Sequence, residues 1–228
     1  MQKQITWDNE INIMKCLVEA ANLPFVMPYL EQLREKQRTT YRHSIHVAGL
    51  AIQIGCVYGL SDMRLLDMAA GALLHDIGKL KIPDSIIHST SFLLPEEREL
   101  IQMHPLYSYD MIASCKIEHP LIVELICLMH HYKLNLTGYP SRDDFPAEID
   151  SSRIPKEVQI VSVADMYDAM VSPRSYKEPF NGTFALQNLY TDVKRNELDL
   201  KIVSCLDRLF ENSSIVFQLG INGIMRKL

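Results

Sequence analysis

DMRLLDMAAGALLHD, residues 62–76, is the stretch that decides the fold. Its apolar side chains fall on nearly every face of a helix, the pattern of a helix surrounded by others rather than one lying on a surface. Gly78 and Pro83 follow where such a helix has to end. A helix buried on all sides needs partners, and amphipathic segments lie to either side of it. Upstream, residues 9–36 space Ile11, Met14, Leu17, Val18, Phe25, Leu30 and Leu33 among polar residues, which predicts one or two helices broken near Pro24. Residues 42–58 predict another. Downstream, Pro95-Glu96-Glu97 suits a helix N-terminus, because proline is tolerated at the first position and acids favour the positive end of the dipole. Pro105 predicts a break beside His104, and residues 119–131 predict an apolar helix ending in two histidines. Residues 132–156, with Gly138, Pro140, Pro146 and Pro155, read as a long loop.

The segment EVQIVSVADMYDAMV (157–171) fits two patterns. Its β-branched run suits a strand. Ile160, Val163, Ala164 and Tyr167 also fit one helical face, and the length decides for a helix. Residues 183–195 and 198–211 predict two closing helices. There is no internal repeat. The class is all-α, divided into an N-terminal helical extension (1–40) and a main domain (41–228).

The composition supports a packed domain: 47% of the 228 residues are apolar and 22% charged. A net charge of −5 and the lack of any long Lys/Arg run argue against duplex nucleic acid as a partner. The cysteines (Cys16, Cys56, Cys115, Cys127 and Cys205) are odd in number, form no CxxC and sit among apolar residues, which predicts free thiols in a reducing compartment. MQKQITWDNE lacks the pattern of a signal peptide, and no uninterrupted apolar stretch approaches the roughly 18 residues of a membrane span. A cytoplasmic protein without membrane insertion is expected.

All eight histidines lie between residues 43 and 131. His75, His104, His130 and His131 fall at the ends of apolar helices or at helix breaks, and Asp76 directly follows His75. Asp165 stands inside an apolar run, where an unpaired carboxylate is costly. Singly, each of these has an ordinary structural explanation. The ordered set His43, His75-Asp76, His104, His130-His131 and Asp165, spread over the predicted helices, is what a divalent ion can satisfy. Imidazole and carboxylate together suit Fe, Mn, Zn or Ni.

LLHDIGKLKIP (73–83) resembles the signature of HD-domain phosphohydrolases, in the HDIGK form of their HD-GYP branch. The resemblance runs in order through RHSIHVA (42–48), MHP (103–105), HH (130–131), GYP (138–140) and VADMYDAMVSPRSYK (163–177). It implies an HD-domain helical bundle with a His/Asp centre for two divalent ions, Fe or Mn first and Zn, Ni or Mg as further options. By the same resemblance His43, His75, Asp76, His104, His130, His131 and Asp165 are the metal ligands, with Asp76 bridging. Asp76 and Lys79 are the implied catalytic residues, beside a metal-bridging hydroxide. Asp168, Arg174, Lys177 and Tyr139 are implied on the substrate side, where Arg and Lys suit a phosphodiester. The implied reaction is hydrolysis of a cyclic dinucleotide, cyclic di-GMP foremost.

Two departures from the family pattern stand out. In HHYKLNLTGYP (130–140), Tyr132 replaces an acid, and Asn135-Leu136 replace an Asp-Gly pair. Thr39, one turn before His43, replaces the Glu of members with three metals, so two ions are expected. His46 is expected outside the ligand set, and His88 and His119 have no assignment. The altered loop supports a second reading, a catalytically weak or inactive protein that binds nucleotide or a signalling partner. A third is a phosphohydrolase acting on another phosphoester. The first 40 residues resemble no sensor, receiver or cyclase domain, so no fused input domain is expected, and their apolar helix fits a homodimer.

Overall fold

The computed structural model describes residues 7–89, 92–172 and 180–212, and among these it holds α-helices, short 3₁₀ turns and no strand. The helix α4 (Asp62–Leu74) is central as expected: every residue from Met68 to Leu74 is buried. It packs against α1 (Trp7–Ala21), α3 (Arg38–Tyr58), α8 (Leu121–Met129) and α9 (Lys156–Val171). The expected break in the N-terminal segment lies between α1 and α2 (Met27–Lys36) and contains Pro24. Leu17, Ala20, Phe25, Val26, Leu30 and Leu33 from this segment join the same core as α3 and α4.

The ambiguous segment 157–171 is helical. In α9 all residues from Glu157 to Asp168 except Met166 are buried. Its β-branched content therefore reflects burial on all sides, which is what such side chains favour, and not a strand. The helices α10 (Gly182–Lys194) and α11 (Leu200–Asn212) close the bundle over α9 and α3. Between α4 and α8 the chain makes a 3₁₀ turn (Ile77–Lys81), a single helical turn α5 (Asp84–Ile87), α6 (Pro95–Gln102) and α7 (His104–Ala113). The helix α6 starts at Pro95 as expected, with the Glu97 carboxylate accepting from the Leu94 amide at 2.8 Å. The single turn α5 has no periodic apolar pattern that could have announced it.

All five cysteines are free thiols. No helix among the described residues is long and apolar enough to cross a membrane.

The loop after α8 begins with a tight hairpin. Tyr132 pairs with Gly138, the Lys133 amide donates to the Thr137 carbonyl at 2.9 Å, and the Leu136 amide donates to the Lys133 carbonyl at 2.8 Å. Leu136 has φ +63°, the left-handed region that favours glycine. This is one of the two positions where the sequence departs from the Asp-Gly pair. Leu136 is 42% exposed, so only part of its side chain packs to offset the strain. Replacing Leu136 with glycine is expected to stabilise the fold by about 0.5–1 kcal/mol, the ~1–2 kcal/mol cost of a left-handed side chain less the ~0.4–1 kcal/mol entropy of an added glycine. Urea denaturation of Leu136→Gly measures this; a lower midpoint than the parent's would contradict it.

Candidate metal centre

The bundle delivers its histidines at helix ends. His75-Asp76 lie just past the C-terminus of α4, His130-His131 just past that of α8, and His104 opens α7 directly after α6. His43 and Asp165 come from within α3 and α9. The last carbonyls of a helix lack intrahelical partners. Here imidazoles fill that role. His75 Nδ1 lies 2.7 Å from the Ala72 carbonyl, and His104 Nδ1 lies 2.7 Å from that of Ile101. His130 Nδ1 lies 3.0 Å from the Cys127 carbonyl. A carbonyl only accepts, so each Nδ1 carries the proton and each Nε2 presents a bare lone pair.

Those lone pairs converge. His104 Nε2 and His130 Nε2 are 3.1 Å apart. His104 Nε2 also lies 3.1 Å from Asp76 Oδ1, and His75 Nε2 lies 3.4 Å from Asp76 Oδ2. Neither His75 Nε2 nor Asp76 Oδ1 has a hydrogen-bond partner, although both are buried. Lone pair facing lone pair in a buried site is unfavourable unless a cation sits between them. Among the described residues, two groups have ligand atoms within 4.8 Å of one another: His43, His75 and Asp76, and His104, His130 and His131. The two carboxylates span both. Asp76 turns Oδ2 towards His43 (3.8 Å) and His75, and Oδ1 towards His104. Asp165 turns Oδ1 towards His43 (2.9 Å) and Oδ2 towards His131 (3.7 Å). The donor set fits divalent cations.

The charge states agree. Burial would raise the Asp76 carboxyl, but the Lys79 ammonium beside it holds it well below the usual carboxylate range. Burial likewise opposes ionisation of Asp165, and the hydrogen bond from His43 overcomes it. Burial lowers the imidazoles of His104 and His130, and takes His131 down to about 3, so these rings are neutral ligands at neutral pH. His43 behaves differently: burial pulls it down, yet Asp165 and Asp168 carry it up to about 9.

Lys79, on the 3₁₀ turn, places Nζ 2.5 Å from Asp76 Oδ2. Asp168, expected on the substrate side, has both oxygens engaged within the protein. Oδ2 meets His43 Nδ1 at 2.7 Å, while Oδ1 accepts from the Ser172 hydroxyl at 2.8 Å and lies 3.4 Å from His46. Tyr139 lays its ring over His131, centroids 4.4 Å apart. Arg174 and Lys177 lie outside the described residues. Thr39 and His88 are exposed. His119 sits elsewhere, with Nε2 2.9 Å from Glu124 at the start of α8.

Ser108 is a residue the sequence reading missed. Its buried hydroxyl donates to the His75 carbonyl and accepts from the Gly78 amide, each at 2.8 Å. It thus ties both ends of the turn that carries Asp76. Gly78 is required there, because a Cβ would stand 2.1 Å from the His104 carbonyl oxygen. The Gln37 amide, buried at the α2–α3 junction, donates to the Lys79 carbonyl at 2.8 Å and steadies the same turn. The one signal for Ser108 was its place four residues after His104, on the same helical face; nothing in the sequence marked Gln37.

Comparison with known proteins places these features in context. The sequence profile of the HD domain family matches residues 26–202. The cyclic di-GMP phosphodiesterase response regulator RpfG of Xanthomonas campestris pv. campestris is 35% identical over 176 residues, 76% of this chain and 43% of its own. The cyclic di-GMP phosphodiesterase PA4108 of Pseudomonas aeruginosa is 31% identical over 166 residues, 73% of this chain and 38% of its own. The chain therefore spans about two fifths of the length of these relatives. The crystal structure of the HD domain of the L. monocytogenes phosphodiesterase PgpH, in complex with cyclic-di-AMP, shares the fold: TM-score 0.57 at 21% identity, over 86% of this chain and 95% of that one.

Two outcomes follow from the geometry. Ser108→Ala is expected to weaken Mn(II) binding about ten- to hundredfold, as loss of an outer-shell support does. Chelator competition reads this, and unchanged affinity would contradict it. The second concerns pH. In metal-free protein, His131 at about 3 and the lowered His104 and His130 bind protons less readily than in the unfolded chain. Their contribution is complete above about pH 6.5 and lost as pH falls toward 3. His43, at about 9, acts oppositely: its contribution is full below about pH 6.5 and lost as pH rises through 9. Denaturation midpoints of EDTA-treated protein should therefore decline on both sides of neutrality. A midpoint flat from about pH 7 to 4 would contradict the buried neutral imidazoles.

Proposed function

The chain belongs to the HD domain family, in its HD-GYP branch, and on that footing we propose that it is a metal-dependent phosphodiesterase hydrolysing a cyclic dinucleotide, cyclic di-GMP foremost. Two divalent ions, Fe or Mn, are held by His43, His75, Asp76, His104, His130, His131 and Asp165. The observation that carries this is the pair of facing Nε2 lone pairs of His104 and His130, 3.1 Å apart, beside a buried Asp76 oxygen with no donor. The names of the relatives support the substrate class.

When bound, such ions lower the pKa of water and polarise phosphoryl oxygens. The chain's own residues do the rest. Asp76 reaches both ligand groups with one carboxylate and accepts from Lys79. Lys79 Nζ, partly exposed beside that carboxylate, is a cation free to turn its remaining donors to the charge that develops on a phosphoryl or leaving oxygen. Asp168 fixes the His43 ring through Nδ1, which leaves Nε2 directed inward. The Tyr139 ring walls the site beside His131. Arg174 and Lys177 supply further cations to the phosphodiester.

The test is hydrolysis of cyclic di-GMP by protein purified with Mn or Fe, with metal counted per chain. The parent is expected to turn over with about two ions bound. Asp76→Ala should lose both metal and turnover, and Lys79→Ala should keep metal while kcat falls about a hundredfold. No turnover of any cyclic dinucleotide at a filled site would overturn the phosphodiesterase reading in favour of a binding module or another phosphoester substrate.

A further inference from the structure

The hairpin 132–138 joins His131 to Tyr139, and both its ends enter the metal centre. The family pattern places an acid directly after the double histidine; here Tyr132 occupies that position. The Tyr132 side chain is buried, with its ring against Phe145 (centroids 4.9 Å apart) and its hydroxyl unpartnered. A carboxylate does meet this hairpin, but it comes from the turn between α10 and α11. Glu197 pairs through Oε2 with Lys133 Nζ. The Glu197 carbonyl accepts from the Leu134 amide at 3.1 Å. Glu197 is 14% exposed and Lys133 32%, so the pair is shielded from full solvent screening. Asn196, just before it, takes a left-handed conformation (φ +57°), which an asparagine tolerates and which turns the chain back to the hairpin.

Tyr132 roots the start of the hairpin in the core, but its tip has few holds of its own. Its internal bonds are the Lys133–Thr137 and Lys133–Leu136 backbone contacts, and the Asn135 side chain, whose oxygen accepts from the Thr137 amide at 3.2 Å and hydroxyl at 2.6 Å. Leu136 strains it from within, and Leu134 and Leu136 are exposed in part. At the far side, Gly138 passes so close to His131 that a Cβ would stand 2.1 Å from the His131 carbonyl oxygen. A displacement of the hairpin therefore moves His131 and the Tyr139 ring stacked on it together.

We infer that Glu197 is a positioning residue for the catalytic centre: through Lys133 and Leu134 it anchors the hairpin and so sets the placement of His131 and Tyr139. It acts from outside the motif whose acid this chain lacks. The catalytic consequence rests on the phosphodiesterase reading; the anchoring itself does not.

The experiment compares the parent with Glu197→Gln, Lys133→Met and the exchanged pair Lys133→Glu/Glu197→Lys, all Mn-loaded. Hydrogen exchange of the peptide covering 131–139 is followed by mass spectrometry, with kcat and KM for cyclic di-GMP and the thermal midpoint. Glu197→Gln and Lys133→Met should each speed exchange in that peptide while helices α3, α4 and α9 exchange as in the parent. They should lower kcat about tenfold, as small misplacements of a site do, with little change in thermal midpoint. The exchanged pair should restore slow exchange and most of kcat, a rescue that general destabilisation would not give. Unchanged exchange in both single variants, or an exchanged pair no better than they are, overturns the inference. If the parent hydrolyses no cyclic dinucleotide, the phosphodiesterase reading and the catalytic consequence fall, while the exchange data and its rescue still decide the anchoring.

Discussion

Two carboxylates buried at the centre of a helical bundle govern this protein. Asp76 and Asp165 are shut away from water, yet stay ionised because Lys79 stands beside the first and His43 hydrogen-bonds the second. An isolated carboxylate there would be strongly unfavourable. Every feature that delivers those neighbours is therefore under constraint: where α4 and α8 end, where α6 gives way to α7, and the faces that α3 and α9 turn inward.

The helix ends solve two problems at once. Terminal carbonyls need donors, and metal-ligating histidines need one nitrogen protonated and turned away from the ion. His75, His104 and His130 meet both needs through Nδ1, which donates to the carbonyls of the preceding helix turn. The result is a set of lone pairs directed inward. Ser108 and Gly78 extend the same economy to the Asp76 turn, where α7 approaches too closely for any side chain at residue 78.

The hairpin after α8 shows the other strategy. Its sequence is poor in the residues that hold a turn by themselves, with leucine where the backbone is left-handed. The rest of the molecule compensates from a distance, through Tyr132 buried against Phe145 and through Glu197 on the α10–α11 turn. Local sequence departures in such a loop say little about function until the partners that brace it are known.

The sequence by itself determined the all-α class, the central α4, the break at Pro24, the helix start at Pro95 and the set of histidines and acids that meet. These rest on short-range physics: helical periodicity, proline and glycine punctuation, and the cost of leaving acids or imidazoles in an apolar run. Length had already assigned 157–171 to a helix; only the tertiary structure decided that it is buried on all sides, its polar residues Glu157, Gln159, Asp165 and Asp168 included. It alone placed Asp168 against His43 and revealed Ser108, Gln37 and Glu197. Those roles depend on contacts between residues as many as 125 positions apart, and a single hydrogen bond across such a distance leaves no spacing in the chain to read.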